Sequence, residues 1–254
     1  MLRAIYLVNP LTRPPTWLRS LFPGAEWQGA SQGPEGRPRL YLTFDDGPIP
    51  DETPWVLAQL AAYDARATFF CVGDNLRRHP DIARAVLAAG HRLGNHTQHH
   101  QSAWQVTRSE YLAGVAETSL AIAQLLAVSS QPLAVSFSPT AVVLPDSLPP
   151  SGELLANSHQ LTDNLFRPPH GRLTWPVLRA LRAQNYRVIM WSLLTRDYDA
   201  GLAPERALRL ALAATRPGDI VVLHDSRKAS RSLRYLLPRL LAHYAALGYD
   251  FAAL

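Results

Sequence analysis

The sequence predicts an α/β fold built on a parallel sheet with crossover helices, and three observations predict it. Strand-like and helix-like stretches alternate from residue 40 to the end, the pattern of repeated β-α-β units. The clustered titratable residues follow predicted strands, where the C-terminal rim of a barrel gathers its polar side chains. The chain has 254 residues, a length at which an α/β barrel forms a single domain.

The elements follow in order. Residues 1–38 are a lead-in rich in Pro and Gly, with one short amphipathic turn at 17–22, and the domain proper spans 39–254. Residues 40–44 form an apolar strand whose polar continuation stops at Gly47-Pro48. A helix at 53–62 leads to a strand at 67–72, which holds Cys71, the only cysteine. A lone cysteine forms no internal disulfide, and one inside an apolar strand belongs to the core. Residues 80–89 carry apolar side chains at helical spacing, 92–95 lead into a histidine-rich stretch, and 109–126 form a long helix. Then come strand 164–167, helix 174–184, strand 186–192, helix 203–215, strand 219–224, helix 231–246 and a closing strand at 251–254. The segment at about 127–160 breaks the alternation. It is rich in Ser, Pro, Ala and Val, with Asp146 and Glu153 its only charges. An insertion of this length suits a loop with a role at the site, and 134–137 with 141–144 suit a small hairpin over it.

The net charge is +5, carried almost wholly by Arg, and Lys228 is the only lysine. The Arg residues are scattered rather than clustered, which argues against a nucleic-acid partner. No stretch reaches the apolar length of a transmembrane span. The N-terminus carries only five apolar residues after Arg3, too few for a secretory signal, so the expected compartment is the cytoplasm.

Two motifs carry chemistry. Asp45 and Asp46 adjoin at the end of a strand, and two close carboxylates cannot both enter a core unpaired. A divalent cation resolves this, with one carboxylate as ligand and the other free as a base. About fifty residues on, His96 and His100 stand four apart, which on a helical turn places them on one face; His99 is within reach of His96 by the same logic. Two His and one Asp make three protein ligands and leave positions open, as in a catalytic site.

Three further stretches are Phe166-Arg167-Pro168-Pro169-His170-Gly171, Trp191-Ser192 with Asp197, and the apolar strand ending in His224-Asp225. With the first two, they stand in the order of the five motifs of the polysaccharide deacetylase family, the carbohydrate esterases with a NodB-type domain, which this chain resembles from about residue 39 to the end. It departs in three places: His170 stands where Tyr is usual, Tyr198 where Trp follows the Asp, and Val222 where Leu precedes x-His.

The resemblance implies a distorted, incomplete (β/α) barrel and hydrolysis of N-acetyl groups on amino-sugar units of a chitin-like or peptidoglycan glycan. It implies that Asp46, His96 and His100 hold a divalent metal, zinc first, with cobalt or nickel also suited to mixed N/O ligands. Asp45 would be the general base and His224 the general acid. Arg167 would orient the base, the His170 N–H would help hold the oxyanion, and Asp197 would tune His224. Two alternatives compete: an O-acetyl esterase on acetylated polysaccharide, and a non-catalytic glycan-binding protein, whose signature would be the loss of a base, ligand or acid.

Overall fold

A computed structural model describes residues 13–129 and 164–254. The predicted hairpin at 134–144 lies outside these residues. The strands are β1 Ala25–Glu26, β2 Arg39–Asp45, β3 Ala67–Cys71, β4 Arg92–Asn95, β5 Leu165–Phe166, β6 Arg187–Ile189, β7 Leu193–Leu194, β8 Ile220–His224 and β9 Asp250–Phe251. They form one sheet in the order β1-β6-β5-β4-β3-β2-β8-β7, with β9 pairing the start of β2, and every strand pair is parallel. The sheet curls into an incomplete barrel. At its base, Gln28 bridges Asp219 and the Gly29 N–H donates to Gly218 O, so the lead-in lies against the start of β8.

The helices are α1 Thr16–Ser20, α2 Thr53–Ala61, α3 Gly73–Arg78, α4 Pro80–Ala88, α5 Arg108–Ser129, α6 Trp175–Ala183, α7 Pro204–Ala214 and α8 Ser230–Ala246. Among the described residues, no helix is long and apolar enough to cross a membrane.

The two-residue period of a strand sorts side chains between two cores. Leu40, Leu42 and Phe44 of β2, Phe69 of β3 and Val221 and Leu223 of β8 face outward. There they pack with Val56 and Leu60 of α2 and with the Leu-rich face of α8. Tyr41, Phe70, Leu165, Ile189, Ile220 and Leu254 fill the interior. The same parity turns Thr43, Asp45, Val222 and His224 inward, and Asp45 and His224 are register partners at the top of β2 and β8. Gly94 lets β4 pass Phe70, since a Cβ there would sit 2.5 Å from the ring. Asp219, fully buried at the opposite end, accepts from Ser192 Oγ at 2.7 Å and Arg13 Nη2 at 2.9 Å, which ties the base rather than the rim.

Three local expectations are corrected. His96 to His100 form no helix; they lie in the loop after β4, which turns through left-handed residues Thr97 (φ 65°) and His100 (φ 54°). The strand expected at 186–192 is divided. β6 pairs with β1 and β5, whereas β7 pairs with β8. Between them the backbone serves other partners: Met190 N–H donates to Glu26 O at 2.7 Å, and Ser192 N–H to Ile220 O at 3.2 Å. The closing strand is also shorter and earlier than expected, at Asp250–Phe251, and Leu254 turns into the barrel, its N–H donating to Thr68 Oγ1 at 3.0 Å.

Candidate active site

The parity of β2 that buries Leu42 and Phe44 outward delivers Asp45 to the top of the barrel interior, 4% exposed. Arg167 meets it there. Leu165 faces inward and Phe166 outward, so Arg167 enters the interior and is fully buried. Its Nη1 donates to Asp45 Oδ1 and to Thr43 Oγ1, both at 2.7 Å, and its Nη2 donates to Met190 O at 3.1 Å. The guanidinium also lies 4.1 Å from the Phe70 ring centroid, a cation–π contact. A buried ion pair persists only when its remaining polar atoms are also satisfied, and here the gap between β6 and β7 supplies carbonyls. Asp45 Oδ1 is engaged by Arg167, which leaves Oδ2 for the pocket.

Asp46 leaves the strand with φ 82° and points to the loop after β4. Its Oδ1 lies 3.2 Å from His100 Nε2 and 3.8 Å from His96 Nε2. The three ligand atoms fall within 4.8 Å of one another. His96 Nδ1 sits 2.8 Å from Arg167 O, a carbonyl that can only accept. Nδ1 therefore carries the proton and Nε2 presents a lone pair to the cluster, the usual support for a metal-binding imidazole. Burial lowers the His96 pKa to about 4, overriding the charges of Asp45 and Asp46, so the ring is neutral. Burial raises Asp46, but the His100 hydrogen bond and the nearby imidazoles outweigh it and hold the carboxyl below its usual range. A carboxylate and two imidazole nitrogens converging this closely suit a divalent cation. His99 does not join them. It is turned outward, with Nδ1 2.9 Å from Asp74 Oδ2.

His224 and Asp225 are neighbours in sequence, and the strand sends them to opposite faces. His224 Nδ1 lies 2.8 Å from Asp197 Oδ1, and the His224 N–H donates to Asp197 Oδ2 at 2.7 Å. Asp197 is buried, and Arg196 pairs with Asp199 instead. Burial acts to lower the His224 pKa; the charge and hydrogen bond of Asp197, with Asp45 and Asp46 behind them, outweigh it and raise the pKa to about 9. Asp225, fully buried, accepts from Thr53 Oγ1 at 2.6 Å and from Gly47 N at 3.1 Å, and so fixes the turn that follows Asp46. Only glycine fits at Gly47, where a Cβ would lie 2.0 Å from Asp225 Oδ2. Burial, reinforced by the charge of Asp46, raises Asp225 to about 8.

His170 sits on the rim with φ 57°, its ring edge-on to His100 at 4.6 Å between centroids. The hydrogen bonds of its turn run from Gly171 N to Pro168 O and from Arg172 N to Pro169 O. Asp46, His100 and His170 line one pocket and all hold left-handed backbone, in which an L side chain is strained.

Asp45, Asp46, His96, His100, His170 and His224 line one pocket of about 450 Å³, which Arg167 and Asp197 support from behind. Its wall also includes Arg172, Trp191, Leu194, Tyr198, Val222 and Lys228, of which only Val222 has a parity signal in the sequence. The others come from loops and strand ends far apart in the chain, so spacing could not assign them.

Comparison with known proteins places the chain among glycan deacetylases. The family model described as polysaccharide deacetylase matches residues 32–140. A chitooligosaccharide deacetylase of Bradyrhizobium is 31% identical over 220 residues, covering 81% of this chain and 85% of that one. A peptidoglycan-N-acetylglucosamine deacetylase of Bacillus cereus is 27% identical over 197 residues, or 78% of this chain, which spans 59% of that protein's length. The crystal structure of a peptidoglycan N-acetylglucosamine deacetylase superposes with a TM-score of 0.72 at 22% identity, over 94% of each chain, and so shares the fold. The chain belongs to the polysaccharide deacetylase family.

Proposed function

We propose that this protein removes N-acetyl groups from amino-sugar units of a glycan by hydrolysis, with a divalent cation, zinc first, held by Asp46, His96 and His100. The observation that carries this reading is the flanking of that trio by Asp45 and His224 from adjacent strands, in one pocket. A cation held there would polarise the acetyl carbonyl and acidify a water beside it. The Oδ2 of Asp45 takes a proton as the water oxygen bonds to the carbonyl carbon. Arg167 fixes the orientation of that carboxylate from behind. His224, protonated, aims Nε2 into the pocket because Nδ1–H is committed to Asp197, and it gives its proton to the departing nitrogen as the C–N bond breaks. The products are acetate and a free amine. The His170 N–H is assigned to the developing oxyanion. Trp191, Leu194 and Val222 offer an apolar wall for the acetyl methyl group.

The test is acetate release from chitooligosaccharides and peptidoglycan fragments against acetylated xylan. The reading expects acetate with an equal amount of new amine from the first two. Acetate from xylan alone would make the protein an O-acetyl esterase, and none from any glycan would leave the non-catalytic reading.

The acid role of His224 sets a pH dependence. The ring is protonated below its pKa, so amide hydrolysis falls as pH rises through it. That limb lies near or below 9, because a cation beside Asp46 cancels part of the carboxylate charge that raises His224. His224→Ala is expected to lose about 10²–10⁴-fold in kcat on the amide and to lose the limb. The loss should be smaller on an activated acetyl ester, whose leaving group departs without protonation. Equal losses on both substrates would remove the acid assignment.

A further inference from the structure

The pocket carries two cations that the mechanism above does not use. Its carboxylates have other partners: Asp45 Oδ1 pairs with Arg167, and Asp46 with the His96–His100 pair. Arg172 and Lys228 line the same pocket, and among the described residues neither has a carboxylate within ion-pair distance. Each is laid on an aromatic ring instead. The Arg172 guanidinium lies 5.3 Å from the Trp104 ring centroid, and the Lys228 ammonium lies 5.5 Å from that of Tyr198. Tyr198 in turn stands edge-on to His224 at 4.9 Å. Both cations are thus positioned by ring contacts, and the charge nearest Lys228, that of Asp199, lies beyond ion-pair distance of it and is paired with Arg196. Hydroxyls of a neutral glycan need no such pair, whereas a carboxylate forms charge-assisted hydrogen bonds to both.

We propose that Arg172 and Lys228 bind a carboxylate carried by the glycan beside the reacting N-acetylated sugar, so that an anionic N-acetylated glycan is the preferred substrate class. This rests on the deacetylase reading for what happens to the sugar, but not for the binding. Two sources share the chemistry: the lactyl carboxylate of a muramic acid unit and the ring carboxylate of a uronic acid.

The test reads equilibrium binding to zinc-loaded Asp45→Asn protein, in which turnover is blocked. The ligands are three tetrasaccharides of N-acetylglucosamine: alternating with N-acetylmuramic acid, alternating with glucuronic acid, and neutral chitotetraose. At least one anionic ligand should bind about tenfold tighter than chitotetraose, and which one does names the source. Lys228→Gln and Arg172→Gln should each collapse that preference, and high salt should weaken it, whereas Lys228→Arg should keep it. Acetylation of Lys228, the only lysine, should reproduce Lys228→Gln without a substitution. Chitotetraose binding as tightly as both anionic ligands, or Gln variants that weaken all three equally, would overturn the proposal. If the wild type releases no acetate from any of the three while the charge-dependent preference persists, the deacetylase reading fails and the carboxylate site stands.

Discussion

Asp45→Asn is expected to lower kcat for acetate release by at least about a thousandfold while leaving cation binding in place. The substitution is nearly isosteric, and the amide oxygen can still accept from Arg167 Nη1. What is lost is the second carboxylate oxygen, the one Arg167 leaves for the pocket. Since the Asp46, His96 and His100 ligand atoms are separate from it, zinc stoichiometry should stay at one per chain. Metal analysis and turnover on the same preparation make the comparison. Near-normal turnover in zinc-replete Asp45→Asn protein would move the base elsewhere.

The largest stability effect is expected from Arg167→Met. Among the described residues Arg167 is the largest fully buried side chain, and its guanidinium bonds four groups: Asp45, Thr43 and the carbonyls of Met190 and Ile189. Met fills much of the volume but leaves the Asp45 carboxylate buried without its cation, at a cost of about 3–5 kcal/mol. For a chain of this size that lowers Tm by roughly 10 °C. Arg167→Met combined with Asp45→Asn should recover part of the loss, because the stranded charge is gone. Thermal denaturation of the two variants decides it: an equal Tm would mean that the Arg167 side chain acts through packing alone.

Much of this arrangement was legible because strand parity is a strong code. An apolar residue at every second position of 40–44 fixes which side chains face the helices, and Asp45 then has to face the barrel interior. The same code places His224 opposite Asp45 and separates it from Asp225, although the sequence joins them as a pair. Where backbone conformation departs from regular elements, the sequence was silent. His96 and His100 converge as their spacing suggests, but through two left-handed residues rather than a helical turn. Thr97 gives no local sign of this, since a β-branched residue disfavours positive φ. The break after Ile189 was equally hidden, because the apolar run 188–191 crosses it without interruption. Only the three-dimensional partners, Arg167 on one side and Asp219 on the other, show why the chain divides there. Arg172, Trp104, Tyr198 and Lys228 meet through tertiary packing alone, and Asp225 gains its role only once Gly47 and Thr53 are beside it.

Everything proposed for the pocket requires Asp46, His96 and His100 to form a single cation site with His99 outside it. Zinc content after equilibrium dialysis, measured for the wild type, His100→Ala and His99→Ala, tests this most directly. Expected are one zinc per wild-type chain, one in His99→Ala, since the His99 ring points to Asp74, and little or none in His100→Ala. A wild type that binds no zinc, cobalt or nickel, or a His99→Ala protein that loses the metal while His100→Ala keeps it, would contradict this.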